Sequence, residues 1–290
     1  MSDVRIASDT TDTSSGKRWW KRGLADSTPD AAADEVRPGC EDIRLEAQGN
    51  RAVLLLHGFG DTPQTLSYLA PVLHQAGFTV HAPLLPGHGR SMKDFMASSA
   101  DEWLDASRLA LRALTSDYES VGVCGLSMGG ALAVLLGAER RDIDALVLIA
   151  PYVAMPASLT VAAALYRLWG PFAGVVEARG ETSIHDKAEQ AKNLGYGETT
   201  GPLLNQLWQL GRRARRVAAA VRAPTLVIQS REDNRIRPRI AERLVARLGA
   251  SEKKLVFTHG AGHIITVDHG REAVFAEVRD WFAAHLSEAR

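Results

Sequence analysis

The chain has 290 residues, of which 46% are hydrophobic, and its 34 basic residues are balanced by 34 acidic ones. This length is sufficient for one large domain with a substantial core. A formal net charge of +0 at pH 7 argues against a protein that attracts nucleic acid or an anionic membrane.

The first forty residues differ in composition from the rest of the chain. Residues 1–40 are rich in Ser, Thr, Asp and Ala, which predicts a poorly ordered extension. A basic cluster around two tryptophans, residues 17–22, is too short for stable membrane anchoring. The extension lacks the apolar stretch of a secretory signal, and no run in the sequence reaches bilayer-spanning length. Cys40 and Cys124 are expected to be free thiols, and a cytoplasmic location fits these features best.

Beyond residue 40, the first half of the chain alternates between strand and helix patterns. Continuous apolar runs predict strands buried on both faces of a parallel sheet, and Pro residues mark helix starts. The predicted elements are an edge strand at 43–47, a strand at 51–56, a helix from Pro63 to about Gln75, a strand at 78–82, a loop at 86–89 and a helix at about 99–115.

The alternation lapses between residues 152 and 222, where the pattern is helical. We interpret this segment as a helical cap inserted after a strand. An apolar stripe in it is expected to form the core of the cap more than a substrate wall, although a cap over an active site commonly does both: Leu159, Leu165, Leu168, Trp169 and Phe172.

The alternation then resumes to the end of the chain. A strand predicted at 145–149 precedes the helical segment, and the elements predicted after it are strands at 224–229 and 255–258, a helix at about 238–248 and a closing helix at about 271–286. The fold predicted is a doubly wound, mostly parallel α/β sheet, with its core formed by residues 41–151 and 223–290.

The segment that carries most chemical information is Gly125-Leu-Ser-Met-Gly129. This G-x-S-x-G pattern lies between a predicted strand at 121–124 and an apolar helix at 131–139. So sharp a turn forces strained backbone angles on Ser127 and brings backbone so close that side chains at 125 and 129 would clash. The Ser127 hydroxyl then lies at the positive end of the helix dipole, where an oxyanion is favoured. The pattern therefore predicts a nucleophile at Ser127.

A serine nucleophile needs an adjacent base and a third group that orients the base. Because parallel strands end at the same edge of a sheet, both partners should follow strands. Asp233 follows the strand at 224–229, and His263 follows the strand at 255–258 in a glycine-rich loop. The order Ser, Asp, His is typical of this motif. Glu232 is the rival orienting acid, and we favour Asp233.

Other titratable residues are assigned structural roles. Asp268 is expected to cap the final helix. His57 and His88 are expected to stabilise the loops in which they lie, and His259 and His269 lack the glycine-rich context of His263.

Stabilising the oxyanion requires two backbone N–H groups aimed at the developing negative charge. One is expected from Met128, directly after the nucleophile. The other is expected from Phe59, in the loop after the strand at 51–56.

Several motifs together resemble the α/β-hydrolase superfamily, most closely bacterial carboxylesterases and monoacylglycerol lipases. The resemblance covers about residues 40–287. It rests on His57-Gly-Phe-Gly60, Pro86-Gly-His-Gly89, Gly125-Leu-Ser-Met-Gly-Gly130, Gly262-His-Ile-Ile-Thr-Val-Asp268 and an aspartate after the next-to-last strand. It implies a carboxylic ester of short-to-medium acyl chain, or a monoacylglycerol, as substrate, and no metal or organic cofactor.

Two further functions are compatible with these motifs. An acyltransferase would use the same three side chains but exclude water and accept another alcohol or thiol. A catalytically silent ligand-binding protein could share the fold, but such a protein usually lacks one of the three side chains, and here each has a candidate.

Overall fold

The computed structural model describes residues 35–168, 175–177 and 183–287. The predicted basic cluster at 17–22, Trp169 and Phe172 lie outside the described residues. Within them, no helix is both long and apolar enough to cross a membrane. The cytoplasmic location stays a prediction.

Seven strands agree closely with those predicted from the sequence, and two short strands, at 175–177 and 198–200, lie in the segment predicted as helical. In chain order they are β1 (Ile43–Leu45), β2 (Arg51–Leu56), β3 (Thr79–Ala82), β4 (Ser120–Leu126), β5 (Ala145–Ile149), β6 (Val175–Glu177), β7 (Glu198–Thr200), β8 (Thr225–Ser230) and β9 (Lys253–Thr258). Seven of these form the main sheet, in the order β1-β3-β2-β4-β5-β8-β9. Only the edge strand β1 is antiparallel to its neighbour in that sheet.

Within the sheet, β3 lies next to β2 on one side and β4 lies next to β2 on the other. β2 and β4 are therefore neighbours at the point where the strand order reverses, with Leu56 opposite Gly125 in parallel register. In open α/β sheets the crevice at the carboxyl ends of such strands is the usual ligand site. The loop after β2 and the turn after β4 lie at that edge.

Helices cover both faces of the sheet. They are α1 (Leu69–Gln75), α2 (Met92–Ala97), α3 (Ala100–Asp117), α4 (Met128–Glu139), α5 (Ala157–Ala164), α6 (Lys187–Lys192), α7 (Gly201–Val217), α8 (Pro238–Arg247) and α9 (Arg271–His285). The side chains of β2 alternate between two cores: Leu54 and Leu56 pack with α3, α4 and α7, whereas Val53 and Leu55 pack with α1 and α9. Burial on both faces explains why these strands are apolar throughout. The predicted fold class is confirmed.

The prediction of one continuous helix from Pro63 to about Gln75 is wrong. The segment from Pro63 to Gln75 forms a short 3-10 helix, Pro63–Leu66, and then α1. Pro71 explains the break, because its ring would clash with the carbonyl of Ser67 and it cannot donate a helical hydrogen bond.

Two other elements differ from the prediction near loops. α2 was not predicted, although Ser91 and Asp94 form a capping box at its start. α4 begins at Met128 rather than near Ala131, because Ser127 itself is the residue that precedes the helix.

The segment proposed as a cap contains α5, α6, α7 and the antiparallel pair β6–β7. The apolar stripe was expected to be buried in it, but Leu159, Leu165 and Leu168 are 43%, 49% and 71% exposed. Leu203 and Leu210 of α7, in contrast, belong to the core that covers α4. The cap boundaries stay a prediction.

The predicted boundary of the N-terminal extension at residue 40 falls within packed structure. The backbone N–H of Arg37 donates to the carbonyl of Gly89 at 2.8 Å. Cys40 is fully buried, and it and Cys124 are both free thiols. Residues 35–40 therefore do not form the poorly ordered segment that their composition predicted, because these contacts with distant loops fix them.

Candidate active site

The chain turns from strand to helix at Ser127. β4 ends one residue before it and α4 begins one residue after it, and its φ and ψ are 54° and −112°. A positive φ is strained for a residue with a side chain, and such strain is typical of functional sites. A Cβ atom at Gly125 would collide with the carbonyl of Gly129, and one at Gly129 would collide with the carbonyl of Leu56. Close backbone approach therefore requires both glycines of the motif.

Ser127, His263 and Asp233 form one hydrogen-bonded series. Ser127 Oγ lies 2.8 Å from His263 Nε2, and His263 Nδ1 lies 2.8 Å from Asp233 Oδ2. These distances suit transfer of the hydroxyl proton to the imidazole. All three residues are buried. The fold thus brings together, from the loops after β4, β8 and β9, the three side chains singled out in the sequence.

The carboxylate of Asp233 is held by further donors. Its Oδ1 accepts the backbone N–H groups of Arg235 at 2.7 Å and Ile236 at 2.8 Å, and its Oδ2 accepts from Gln229 Nε2 at 2.7 Å. Burial raises the pKa of Asp233, but the neighbouring His263 and these donors outweigh burial and leave the pKa below its ordinary value. Asp233 is therefore a carboxylate that favours a proton on Nδ1 of the imidazole.

Gln229 was not identified from the sequence. The available signal was a single amide at the end of an otherwise apolar strand, and the structure shows that Gln229 is fully buried. Buried polar side chains usually have a hydrogen-bond partner, so such a residue at a strand end indicates a polar neighbour in the site.

The rival acid, Glu232, faces a different histidine. Its Oε1 lies 3.3 Å from Nδ1 of the exposed His259, and its Oε2 accepts from the hydroxyl of Ser230 at 3.3 Å. Glu232 therefore stabilises the loop after β8 through these hydrogen bonds and does not contact His263 in the described structure.

Asp268 does not cap the final helix, and that prediction is wrong. The residue that precedes α9 is Gly270, in the left-handed conformation with φ 72°. The buried carboxylate of Asp268 instead accepts backbone N–H groups of Gly262 (2.7 Å), His185 (2.8 Å), Asp186 (2.9 Å) and His269 (2.8 Å). Because Gly262 immediately precedes His263, Asp268 ties the histidine loop to the segment at the start of α6.

The loop after β2 lies against the nucleophile. A Cβ atom at Gly58 would lie 3.5 Å from the Cβ of Ser127. Phe59 is the next residue of that loop. Met128 is the first residue of α4, so the backbone N–H of Met128 has no acceptor within the helix. Both predicted oxyanion donors therefore belong to backbone segments that adjoin Ser127.

His57 has the structural role expected of it. Its Nδ1 lies 2.9 Å from the carbonyl oxygen of Gly58, and its Nε2 accepts the backbone N–H of Leu85 at 3.1 Å. Burial lowers the pKa of His57 to about 4, so the ring is neutral at physiological pH. The imidazole fixes the peptide group whose N–H belongs to Phe59.

His88 lies beside His57, with a ring-centroid distance of 4.9 Å. Its Nδ1 lies 3.0 Å from the carbonyl oxygen of Pro86, which agrees with the expected turn-stabilising role. Burial and the nearby His57 hold the pKa of His88 well below its usual range.

A hydroxyl linked through an imidazole to a carboxylate can form a nucleophile at neutral pH. In the described residues, no group of three or more His, Cys, Asp or Glu side chains could hold a metal ion.

A mostly parallel sheet with a serine at a strained strand-to-helix turn defines an α/β-hydrolase. Comparison with known proteins agrees: the family model described as "Serine aminopeptidase, S33" (Hydrolase_4) matches residues 47–270. The chain belongs to this family.

Individual relatives narrow the class of enzyme. The chain is 29% identical over 250 residues to a thermostable monoacylglycerol lipase of Bacillus sp. (strain H-257), covering 86% of this chain and 97% of that protein. It is 27% identical over 242 residues to a carboxylesterase of Bacillus subtilis (strain 168), covering 80% and 95% of the two chains.

A solved structure of one of the metagenome-derived lipolytic enzymes LipS and LipT superimposes with a TM-score of 0.80 at 29% identity, covering 87% of this chain and 100% of that chain. The predicted resemblance to carboxylesterases and monoacylglycerol lipases is confirmed, and the protein is a hydrolase of the esterase and lipase type.

Proposed function

We propose that this enzyme hydrolyses carboxylic esters of short-to-medium acyl chain, or monoacylglycerols, through an acyl-enzyme on Ser127. The observation that carries the proposal is the pair of 2.8 Å contacts that link Ser127 through His263 to Asp233. The substrate class is supported by similarity to a carboxylesterase and a monoacylglycerol lipase over most of the chain.

In the first half of the proposed reaction, His263 accepts the Ser127 proton as Oγ attacks the ester carbonyl. The oxyanion is stabilised by the backbone N–H groups of Met128 and Phe59. His263 then protonates the leaving alcohol, and the acyl group remains on Ser127.

In the second half, water replaces the alcohol. His263 accepts a proton from the water as it attacks the acyl-enzyme, and returns that proton to Ser127 as the carboxylic acid leaves. Asp233 orients the imidazole and stabilises its positive charge in both halves. Loss of one oxyanion donor would lower the rate about 100- to 1,000-fold.

The direct test is Ser127→Ala with p-nitrophenyl butyrate. We expect turnover to fall to background and labelling by a fluorophosphonate probe to disappear, while circular dichroism and thermal unfolding show that the fold is retained. Ser251→Ala, which changes an exposed serine, is the matched control and should keep full activity and labelling. Normal activity of Ser127→Ala would overturn the assignment of the nucleophile.

The family description favours a second candidate, cleavage of an N-terminal peptide bond. An amide is attacked by the same acyl-enzyme chemistry but has a poorer leaving group. We expect the enzyme to prefer p-nitrophenyl esters to amino-acid p-nitroanilides in kcat/KM by several orders of magnitude. A preference for the anilides would make peptide hydrolysis the better assignment.

A further inference from the structure

Asp61 ends the loop after β2 and lies beside the nucleophile. Its backbone N–H closes a turn by donating to the carbonyl of Gly58 at 3.3 Å. A Cβ atom placed at Gly58 would lie 2.5 Å from Asp61 Oδ2 and 3.5 Å from the Cβ of Ser127. The carboxyl group and the serine therefore flank the same point of the loop after β2.

The other carboxyl oxygen faces the segment between α6 and β7. A Cβ atom at Gly195 would lie 2.9 Å from Asp61 Oδ1. The backbone N–H of Tyr196 donates to the carbonyl of Gly60 at 2.9 Å, which holds this segment against the loop. Asp61 is thus confined between two backbone segments, and neither can accommodate a side chain at its glycine without displacing the carboxyl group.

Asp61 differs from the other acids of the site because its carboxyl group has no hydrogen-bond or ion-pair partner among the described residues. Asp233 and Asp268 each have several donors. Burial raises the pKa of Asp61 to about 6, although the neighbouring His263 and Arg235 act in the opposite direction.

Asp61 is half-buried and no protein donor or cation pairs with its carboxyl group among the described residues, so its charge is neither neutralised nor fully screened by water. Arg235 lowers the pKa of Asp61 through its charge, but its Nε donates to the hydroxyl of Ser183 at 2.9 Å and it forms no ion pair with Asp61 among the described residues. The negative potential of Asp61 is therefore available to whatever occupies the site next to Ser127.

We propose that Asp61 is a specificity-determining residue that selects esters by charge: it favours a cationic group close to the scissile ester and rejects a carboxylate there. This inference rests on the proposed ester hydrolysis at Ser127. At a separation of about 7 Å and an effective dielectric of about 20, a unit charge changes binding by more than tenfold.

The test compares esters of one acyl backbone that differ only in terminal charge: ethyl butyrate, β-alanine ethyl ester (cationic) and monoethyl succinate (anionic). Because the structure places Asp61 beside Ser127 without assigning it to the acyl or alcohol side, a second pair varies the alcohol: butyrylcholine and its neutral isostere 3,3-dimethylbutyl butyrate. Measurements at pH 8 keep the Asp61 carboxyl charged.

The variants are Asp61→Asn, which removes the charge at constant shape, and Asp61→Ser, which removes it with a smaller side chain. Asp105→Asn is the control, because it changes net charge equally at an exposed position on α3. We expect a change in kcat/KM, taken relative to the neutral ester, in at least one of the two substrate sets. Both Asp61 variants should either gain at least tenfold for the anionic ester or lose at least tenfold for the cationic ester. Asp105→Asn should match the unsubstituted enzyme.

Equal changes for all charges in both sets would overturn the proposal for Asp61 and leave ester hydrolysis intact. If the neutral esters are not hydrolysed and a fluorophosphonate does not label Ser127, the proposed function itself fails, and the assignment of Asp61 fails with it. Should Asp61→Asn not fold, Asp61→Ser decides between these outcomes. Should neither fold, reaction of the unsubstituted enzyme with isosteric cationic and neutral organophosphates decides: equal labelling rates reject the proposal, and faster cationic labelling supports it.

Discussion

Replacing Asp268 by asparagine tests how the histidine loop is held. Each carboxylate oxygen accepts two backbone N–H groups: Oδ2 those of Gly262 and His185, and Oδ1 those of Asp186 and His269. An asparagine has one carbonyl oxygen, so either orientation of its amide loses two of these bonds and turns an NH2 group towards two donors.

The magnitude follows from the number of bonds. Hydrogen bonds to a charged acceptor contribute about 1.5–3 kcal/mol each, so losing two predicts a destabilisation of about 3–6 kcal/mol. This is a large part of a typical folding free energy of about 5–15 kcal/mol. We expect Asp268→Asn to unfold at least 5 °C below the unsubstituted enzyme in a thermal scan, on the scale of about 2–4 °C per kcal/mol for proteins of this size.

The activity should fall as well. Gly262 precedes His263, and a small displacement of a catalytic group can reduce the rate about 100-fold. We expect kcat for p-nitrophenyl butyrate to fall at least tenfold at a temperature where the variant is folded, with KM changed much less.

The pH dependence gives a separate check on Asp268. Burial raises the pKa of Asp268, but the backbone N–H groups of His185 and Gly262, among others, outweigh burial and hold the pKa below its ordinary value of 3.8. A lowered pKa means that the carboxylate stabilises the fold above the ordinary pKa and that this contribution is lost as pH falls through the folded-state pKa. The difference between the two proteins should therefore be largest near neutral pH and shrink in acid.

Asp144→Asn is the matched control for Asp268→Asn. The hydroxyl of Ser120 and the N–H of Val121 both donate to the same oxygen, Oδ2 of Asp144, at 2.8 and 2.9 Å. Asparagine can keep both bonds with its single carbonyl oxygen, and Asp144 precedes β5, at the opposite end of the sheet from the site. If Asp268→Asn were as stable and as active as Asp144→Asn, the reasoning about the histidine loop would be refuted.

Two other perturbations concern Asp233, the acid beside His263, and His57, in the loop after β2. Asp233→Asn should lower kcat by about 100- to 10,000-fold, because the imidazole loses its orienting charge, whereas Glu232→Gln should lower kcat less than tenfold. Steady-state kinetics on p-nitrophenyl butyrate measures both variants, and a larger loss in Glu232→Gln than in Asp233→Asn would disprove the assignment. His57 binds a proton in the unfolded chain near pH 6.5 but in the folded protein only near pH 4. Stability should therefore decrease by about 3 kcal/mol as pH falls between these values. In His57→Gln the unfolding temperature should depend less on pH over this interval, and an unchanged slope would exclude His57 as the cause.

The sequence predicted the central strands well because they are mostly apolar runs buried in the sheet, whereas the short strands β6 and β7, in the segment predicted as helical, were not predicted. Its errors concern segments where neighbours decide the structure. The helix over 63–75 was expected to be continuous, but Pro71 breaks it by a local clash that the periodicity does not register. The leucines at 159, 165 and 168 have helical spacing, yet spacing alone does not say whether a partner covers that face, and they are exposed.

The candidate site shows the same division. Ser127 was identifiable because its turn depends on local sterics: two glycines, a preceding apolar strand and a following helix. Asp233 and His263 were identifiable because parallel strands end at one edge of the sheet. A residue that directly follows a predicted strand is therefore expected at that edge. Asp61 and the true role of Asp268 were not, because each depends on which backbone segment lies across from it, and Gln229 was not, because its role depends on how the turn after β8 directs the Asp233 carboxylate towards it.

Short-range rules therefore determined the nucleophile, the strand pattern and the edge at which the site lies. The tertiary structure decided the distant partners of the carboxylates: the imidazole of His263, 30 residues away, for Asp233, the N–H of His185, 83 residues away, for Asp268, and no donor in the described residues for Asp61. The physical reason is that sterics and hydrophobic periodicity act between near neighbours in the chain. Hydrogen bonds and charge interactions depend on distances in space, which exist only once the sheet and its loops have formed.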